Sequence, residues 1–389
     1  MNQFLQEAEN LFDYTRTIRR DLHRHPELGF EEVRTASIIA GELNSLGLEV
    51  QTGVGRTGVV ALINGDQPGP VILLRFDMDA LPVVEENDIA FRSEVTGKMH
   101  ACGHDGHVAI GLTVAKLLSS HQNEIHGTIK LIFQPAEEGL GGAEAIIADG
   151  VLKDPVPDFA YALHIWNDRP LGWSGLASGP VMAASDIFKV IIKGKGGHGA
   201  APHQARDPIT TAAQVVTGLQ TIVSRNVSPL ESAVVSVTRF AGGETFNVIP
   251  PSVELLGTIR TFDRGVREMV VDRFRQIVNN TCTAFGCESQ ISIDVLTPAV
   301  VNEPRVVENL RTVFQEAFPE DRLDGHYLTM GSEDMAYILE KVPGCYFFVG
   351  SANVEQGLSF GHHHPRFNFD ERVLPKAVAL MALAALNSH

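Results

Sequence analysis

No apolar run in the 389 residues approaches the ~20 that a membrane span needs. The opening Met1-Asn2-Gln3-Phe4-Leu5-Gln6-Glu7 has neither the basic nor the apolar region of a secretory leader, so none is expected. Cysteine is scarce: Cys102, Cys282, Cys287 and Cys345 are too few and too scattered for a disulfide framework. Basic charge is in deficit, with Lys+Arg 31 against Asp+Glu 47 and a net charge of -16. That balance argues against nucleic acid or an anionic membrane as the main partner, because both need clustered Lys and Arg. Internal repeats, low-complexity tracts and Pro/Ser-rich linkers are also missing. What is there is ordinary for a protein with a sizeable core, at 44% hydrophobic and 20% charged residues. At about 100–200 residues per domain, the length suggests two or three domains. A cytoplasmic globular enzyme is the expectation, and 15 histidines direct attention to metals.

The first 50 residues read as helix, with Leu11, Ile18 and Leu22 in one segment and Val33 through Leu46 in another. Pro26 and Gly29 separate the two. Four apolar runs, Val71–Phe76, Thr128–Phe133, Phe159–Leu163 and Tyr346–Val349, read as strands of a sheet covered on both faces. Helical patterns at Val108–Leu118 and Gly142–Ile147 alternate with them, which predicts an α/β sandwich with a mixed, mostly parallel sheet. Residues 186–296 carry a different order, βαββαβ, the ferredoxin-like signature. The prediction is therefore a discontinuous domain of residues 1–185 and 297–389, with residues 186–296 inserted into it.

The chemistry sits where these strands end. Val71–Phe76 leads into Asp77-Met78-Asp79, Thr128–Phe133 into Gln134-Pro135-Ala136-Glu137-Glu138, and Phe159–Leu163 into His164. Ligands of open α/β sheets bind beyond the carboxyl ends of strands. His100-Ala101-Cys102-Gly103-His104-Asp105-Gly106-His107 packs five metal-capable side chains into eight residues at a helix start. Mixed Cys and His donors favour a borderline transition metal over calcium or magnesium. In Glu137-Glu138, one carboxylate can bind metal while the other stays free as a base, the division of labour that metal-assisted hydrolysis requires. Gly361-His362-His363-His364-Pro365 offers a further ligand before the closing helix.

On these residues the chain resembles the amidohydrolase branch of the M20 metallopeptidase clan, with its hippurate, N-acyl-amino-acid and indole-acetyl-amino-acid hydrolases. Further matching stretches are Leu22 through Leu28, Asp77 through Pro82, Gly197-His198, Asn247-Val248-Ile249-Pro250, Gly331-Ser332-Glu333-Asp334, and His363 through Phe367. The resemblance implies a zinc-exopeptidase-like fold with an inserted lid and dimerisation domain. It implies two divalent ions, manganese or zinc with cobalt and nickel also compatible, on Cys102, His104, Glu138, His164 and His363. His363 is chosen because the family's ligand lies two residues before the proline. Glu137 would be the general base and Asp79 would orient a ligand. The wider clan has a His-x-Asp pair after the first catalytic strand, and here Asp77-Met78-Asp79 lacks that histidine. His198 would stabilise the oxyanion from across a homodimer, and Asn247 and Arg260 would hold the substrate carboxylate. His107 is left outside the site, either on the helix surface or supporting a ligand.

The implied reaction is hydrolysis of the amide bond of an N-acyl amino acid, with a dipeptidase or aminoacylase preference as the alternative. Two rivals use the same residues. One makes Cys102 a nucleophile with His104 or His107 as base. The other is a binding module stabilised by a closed zinc site of His100, Cys102, His104 and His107.

Overall fold

The computed structural model describes residues 3–387; Met1, Asn2, Ser388 and His389, including the head of the stretch read for a leader, lie outside the described residues. The chain forms two compact units, one of residues 1–181, 300–328 and 333–389, the other of residues 182–299 and 329–332.

An eight-stranded sheet organises the first unit. The four apolar runs occupy its centre as neighbouring parallel strands, in the order His126–Gln134, Gln67–Asp77, Phe159–Pro170 and Gly344–Ala352. Strands Gly58–Asn64 and Glu49–Val54 extend one side antiparallel, and Trp173–Gly175 and Arg322–Asp324 extend the other. These outer strands escape a reading based on apolar runs: Glu49–Val54 is largely exposed, and the last two are three residues each. Alternate residues Ile72, Leu74 and Phe76 turn to one face, where they share a core with helices Phe12–Arg24, His104–Ser119, Pro304–Ala317 and Val373–Leu386. Helix His104–Ser119 is buried nearly all round, which accounts for its apolar composition on every side. Gly111 allows its close approach, since a Cβ there would stand 2.6 Å from the Phe76 ring. Short helices Gly142–Ala148 and Met335–Leu339 pack on the sheet's other side. The parallel strands thus deliver Asp77, Gln134 and the His164 segment to one end of the sheet. His164 itself lies within its strand, because pairing with Gly344–Ala352 runs on past Trp166.

The second unit holds a four-stranded antiparallel sheet in the order Ala233–Ala241, Ser252–Thr261, Ala184–Lys193, Glu288–Thr297. Helices Pro208–Thr221 and Arg264–Ala284 cover one face, packing Val215, Leu219, Phe274 and Val278 against Phe188, Val190 and Leu255. Both helices start at an aspartate cap, where Asp207 accepts from the Ile209 N–H (2.9 Å) and Asp263 from the Val266 N–H (2.8 Å). The order and connections are those of a ferredoxin-like βαββαβ unit.

Candidate metal centre

Tight backbone turns aim the side chains of the first unit. Gly103, at φ 99°, lets the chain reverse between Cys102 and the start of helix His104–Ser119. The turn after strand His126–Gln134 holds Ala136 at φ 53°, with Gly139 and Gly141 at 76° and 81°. His363 is also left-handed, at φ 66°, and its N–H donates to the Ala101 carbonyl at 2.8 Å.

Cys102, His104, Glu138, His164 and His363 come together. Donor atoms of Cys102, His104 and His164 lie within 4.8 Å of one another, as do those of Cys102, Glu138 and His363, and those of His104, Glu137 and Glu138. Cys102 Sγ is 3.4 Å from His164 Nε2, and His363 Nε2 is 3.1 Å from Glu138 Oε1.

Hydrogen bonds separate the histidines that can ligate from those that cannot. His104 Nδ1 faces only acceptors, the Asp79 carbonyl at 2.9 Å and Asp79 Oδ1 at 3.2 Å, so it donates, and Nε2 is the nitrogen that can offer a lone pair to a cation. His164 Nδ1 likewise donates to the Ile165 carbonyl at 2.7 Å, freeing Nε2 toward Cys102. In His107 both nitrogens are spent: Nε2 accepts from the Ile165 N–H (3.0 Å) and Nδ1 donates to Asp77 Oδ1 (2.6 Å). His107 is buried, not on the helix surface, and it braces Asp77. His362 is spent in the same way, between the Asn167 N–H and the Cys102 carbonyl, each at 3.2 Å.

The donor set fits a soft to borderline cation. Among the described residues, His104 Nε2 and Glu138 Oε1 are buried and make no well-formed hydrogen bond, Glu138 Oε1 only facing His363 Nε2 at 3.1 Å, a costly state that a cation relieves. Burial and the Glu138, Glu137 and Asp77 carboxylates push the Cys102 thiol well up. Burial, then Glu333, Glu138 and Asp334, push the Glu137 carboxyl well up. Burial opposes charge on His104, yet Asp77 and Asp79 raise the ring to about 10. Crowded acidic groups of this kind call for positive charge, and a bound cation would bring the thiol and carboxyl back down. A thiol so raised is a poor nucleophile, and neither base of the thiol reading serves it: His107 has both nitrogens engaged, and His104, raised to about 10, already carries its proton. The closed four-ligand zinc site fails on His107, which has no free lone pair.

Sequence reading missed the buried network behind the site. Arg75, fully buried, donates to Asp77 (2.5 Å), Glu333 (2.8 Å), Asp334 (2.9 Å) and Gln134 (3.0 Å). An arginine between Leu74 and Phe76 in an otherwise apolar run was the signal available.

His198, Asn247 and Arg260 belong to the other unit. The short strand Gly197–His198 pairs with Val248–Ile249, and the Gly199 N–H donates to the Asn247 carbonyl at 2.8 Å, so His198 and Asn247 are neighbours. Arg260 lies eight residues along strand Ser252–Thr261 from the end that joins this hairpin. At ~3.3 Å per residue the separation is about 26 Å.

Residues 73–387 match the family model described as Peptidase family M20/M25/M40. The chain belongs to this family. Among M20 relatives, it is 40% identical over 385 residues to thermostable carboxypeptidase 2 of Saccharolobus solfataricus, covering 98% of this chain and 96% of the relative. It is 39% identical to the N-acetylcysteine deacetylase of Bacillus subtilis over 385 residues, covering 96% and 97%. The solved structure of the Bacillus subtilis YXEP protein, described as a dinuclear metal-binding peptidase of the M20 family, superposes with a TM-score of 0.85 at 34% identity, covering 97% of this chain and 98% of that one. The M20 chain described here is thus a metal-binding hydrolase of amide bonds.

Proposed function

We propose that this chain cleaves the amide bond of N-acyl L-amino acids, releasing a carboxylic acid and a free amino acid. The reading rests on one observation: a buried carboxylate, Glu137, stands beside His104 and Glu138, whose free donor atoms face the same cluster. Cys102, His104, Glu138, His164 and His363 would hold two divalent ions, manganese or zinc. Such ions, when bound, polarise a carbonyl and lower the pKa of water toward neutrality. Glu137 accepts the proton of the attacking water and returns it to the departing amine nitrogen. Asp79 holds the His104 ring, accepting from its Nδ1, and fixes the Glu138 backbone by accepting its N–H at 3.1 Å.

His198 would stabilise the oxyanion, while Asn247 and Arg260 hold the substrate's α-carboxylate with the bidentate fork that arginine offers. One small substrate does not bridge the span between the His198 hairpin and Arg260 within a single copy. The proposal therefore takes His198, with Asn247 beside it, from a second copy in a homodimer, and Arg260 from the first.

The test is a panel of N-acetyl, benzoyl and indole-acetyl amino acids and dipeptides, assayed after chelation and re-addition of each metal. Activity should vanish with chelator and return with manganese or zinc. Glu137→Gln should lose at least about 10³-fold in kcat, near the upper range for a general base, with metal content near normal. Turnover within about ten-fold of the parent removes Glu137 from that role.

A further inference from the structure

The Glu137-Glu138 turn has a few backbone hydrogen bonds of its own, such as the Gly142 N–H to the Ala136 carbonyl at 3.1 Å, but it is also held from outside. Ala136 sits in the left-handed region, a strained conformation for a residue with a side chain that persists only where the surroundings impose it. Two carboxylates distant in sequence supply that constraint. Glu32, fully buried, accepts the Ala136 N–H on Oε1 at 2.9 Å and the Thr57 hydroxyl on Oε2 at 2.6 Å. Asp334 accepts from the Gln134 side chain before the turn (2.8 Å) and from the Ala143 N–H after it (2.8 Å). The segment bearing Glu32 is itself fixed to the catalytic edge, because the Ala80 N–H donates to the Glu27 carbonyl at 2.8 Å. Gly29 lies so close that a Cβ there would stand 3.0 Å from the Ala136 Cα.

We propose that Glu32 and Asp334 are positioning residues that grip the two ends of the turn and aim Glu137 and Glu138. This gives work to the Gly331-Ser332-Glu333-Asp334 stretch and to the segment after Leu28, and it rests on the base role of Glu137 argued above. Neither residue touches substrate. Each acts by supplying an acceptor to a backbone or amide N–H that the turn would otherwise leave unpaired.

The experiment compares Glu32→Ala, Glu32→Gln and Asp334→Asn in the full chain. Loss of an acceptor should lower kcat by about 10–100-fold, the cost of ångström-scale misplacement, with KM within about three-fold. Manganese affinity, measured by equilibrium dialysis, should weaken by about ten-fold or more, and the Ala136 and Ala143 amides should exchange faster with solvent. Glu32→Gln keeps an oxygen for the Ala136 N–H and should recover most of the loss. Asp334→Asn preserves volume but loses one of two accepting oxygens, Oδ1 serving Gln134 and Oδ2 serving Gln134 and Ala143, and it carries the test should Glu32→Ala not fold. Folded variants with unchanged kcat and exchange overturn the proposal, as does a Glu32→Gln as impaired as Glu32→Ala. If Glu137→Gln stays active, the base reading fails by itself, and exchange at Ala136 and Ala143 still reports whether the turn is gripped.

Discussion

Replacing Arg75 by Met tests whether the acidic wall of the site depends on one buried cation. Methionine roughly fills the space but leaves Glu333 and Asp334 without their guanidinium, while Asp77 keeps only its histidine partners. Removing one partner from a buried ionic group costs about 3–5 kcal/mol, against a total stability of about 5–15 kcal/mol. For a unit of this size, about 2–4 °C per kcal/mol converts that to a fall of about 6–20 °C in melting temperature. The effect has a pH signature. Burial and Glu333 already push the Asp334 carboxyl well up against the pull of Arg75, so without Arg75 it rises further and the folded state binds more protons than the unfolded one. Stability then declines as pH rises, and the deficit is larger at pH 8 than at pH 5.5. Melting followed by circular dichroism at both pH values reads it directly. Tyr346→Phe is the control: it removes a single hydrogen bond to Glu333 (2.7 Å) and should cost only about 1 kcal/mol. A loss below about 3 °C for Arg75→Met, or one independent of pH, refutes the reasoning.

Metal binding should release protons, because Cys102 is protonated until a cation arrives. Titration calorimetry in two buffers of different ionisation heat should give different apparent enthalpies, with affinity rising with pH; buffer-independent heats contradict this. Asp105 accepts from Arg19 Nε (3.1 Å) and His23 Nδ1 (2.9 Å), and these cations outweigh burial to hold its carboxyl well below the usual range. Its stability contribution is present above the unfolded carboxylate pKa of about 4 and is lost as pH falls below it. Asp105→Asn should therefore cost about 3–5 kcal/mol at pH 7, measured by urea midpoint, and less in acid; an equal loss at both pH values counts against it.

The outer strands and the support network show where sequence reading stops. Glu49–Val54 is polar and exposed, so no apolar pattern marks it, and its strand character comes from pairing with Gly58–Asn64. Glu32 looks like an ordinary surface acid in the sequence, and although Asp334 stands in a stretch that matches the family, nothing local shows that either is buried. His362 and His363 are adjacent and chemically identical, and only the Asn167 N–H and the Cys102 carbonyl distinguish the spent ring from the free one.

The sequence by itself determined the sheet's central strands, the mixed Cys/His/Glu donor set, and the pairing of Glu137 with Glu138. Those follow from burial patterns and side-chain chemistry, which are written residue by residue. Tertiary structure alone decided which nitrogens are free, which carboxylates are crowded enough to demand a cation, and what holds a strained turn in place. Most of these depend on partners tens to hundreds of residues apart that meet only when the chain packs, as Arg75 meets Glu333.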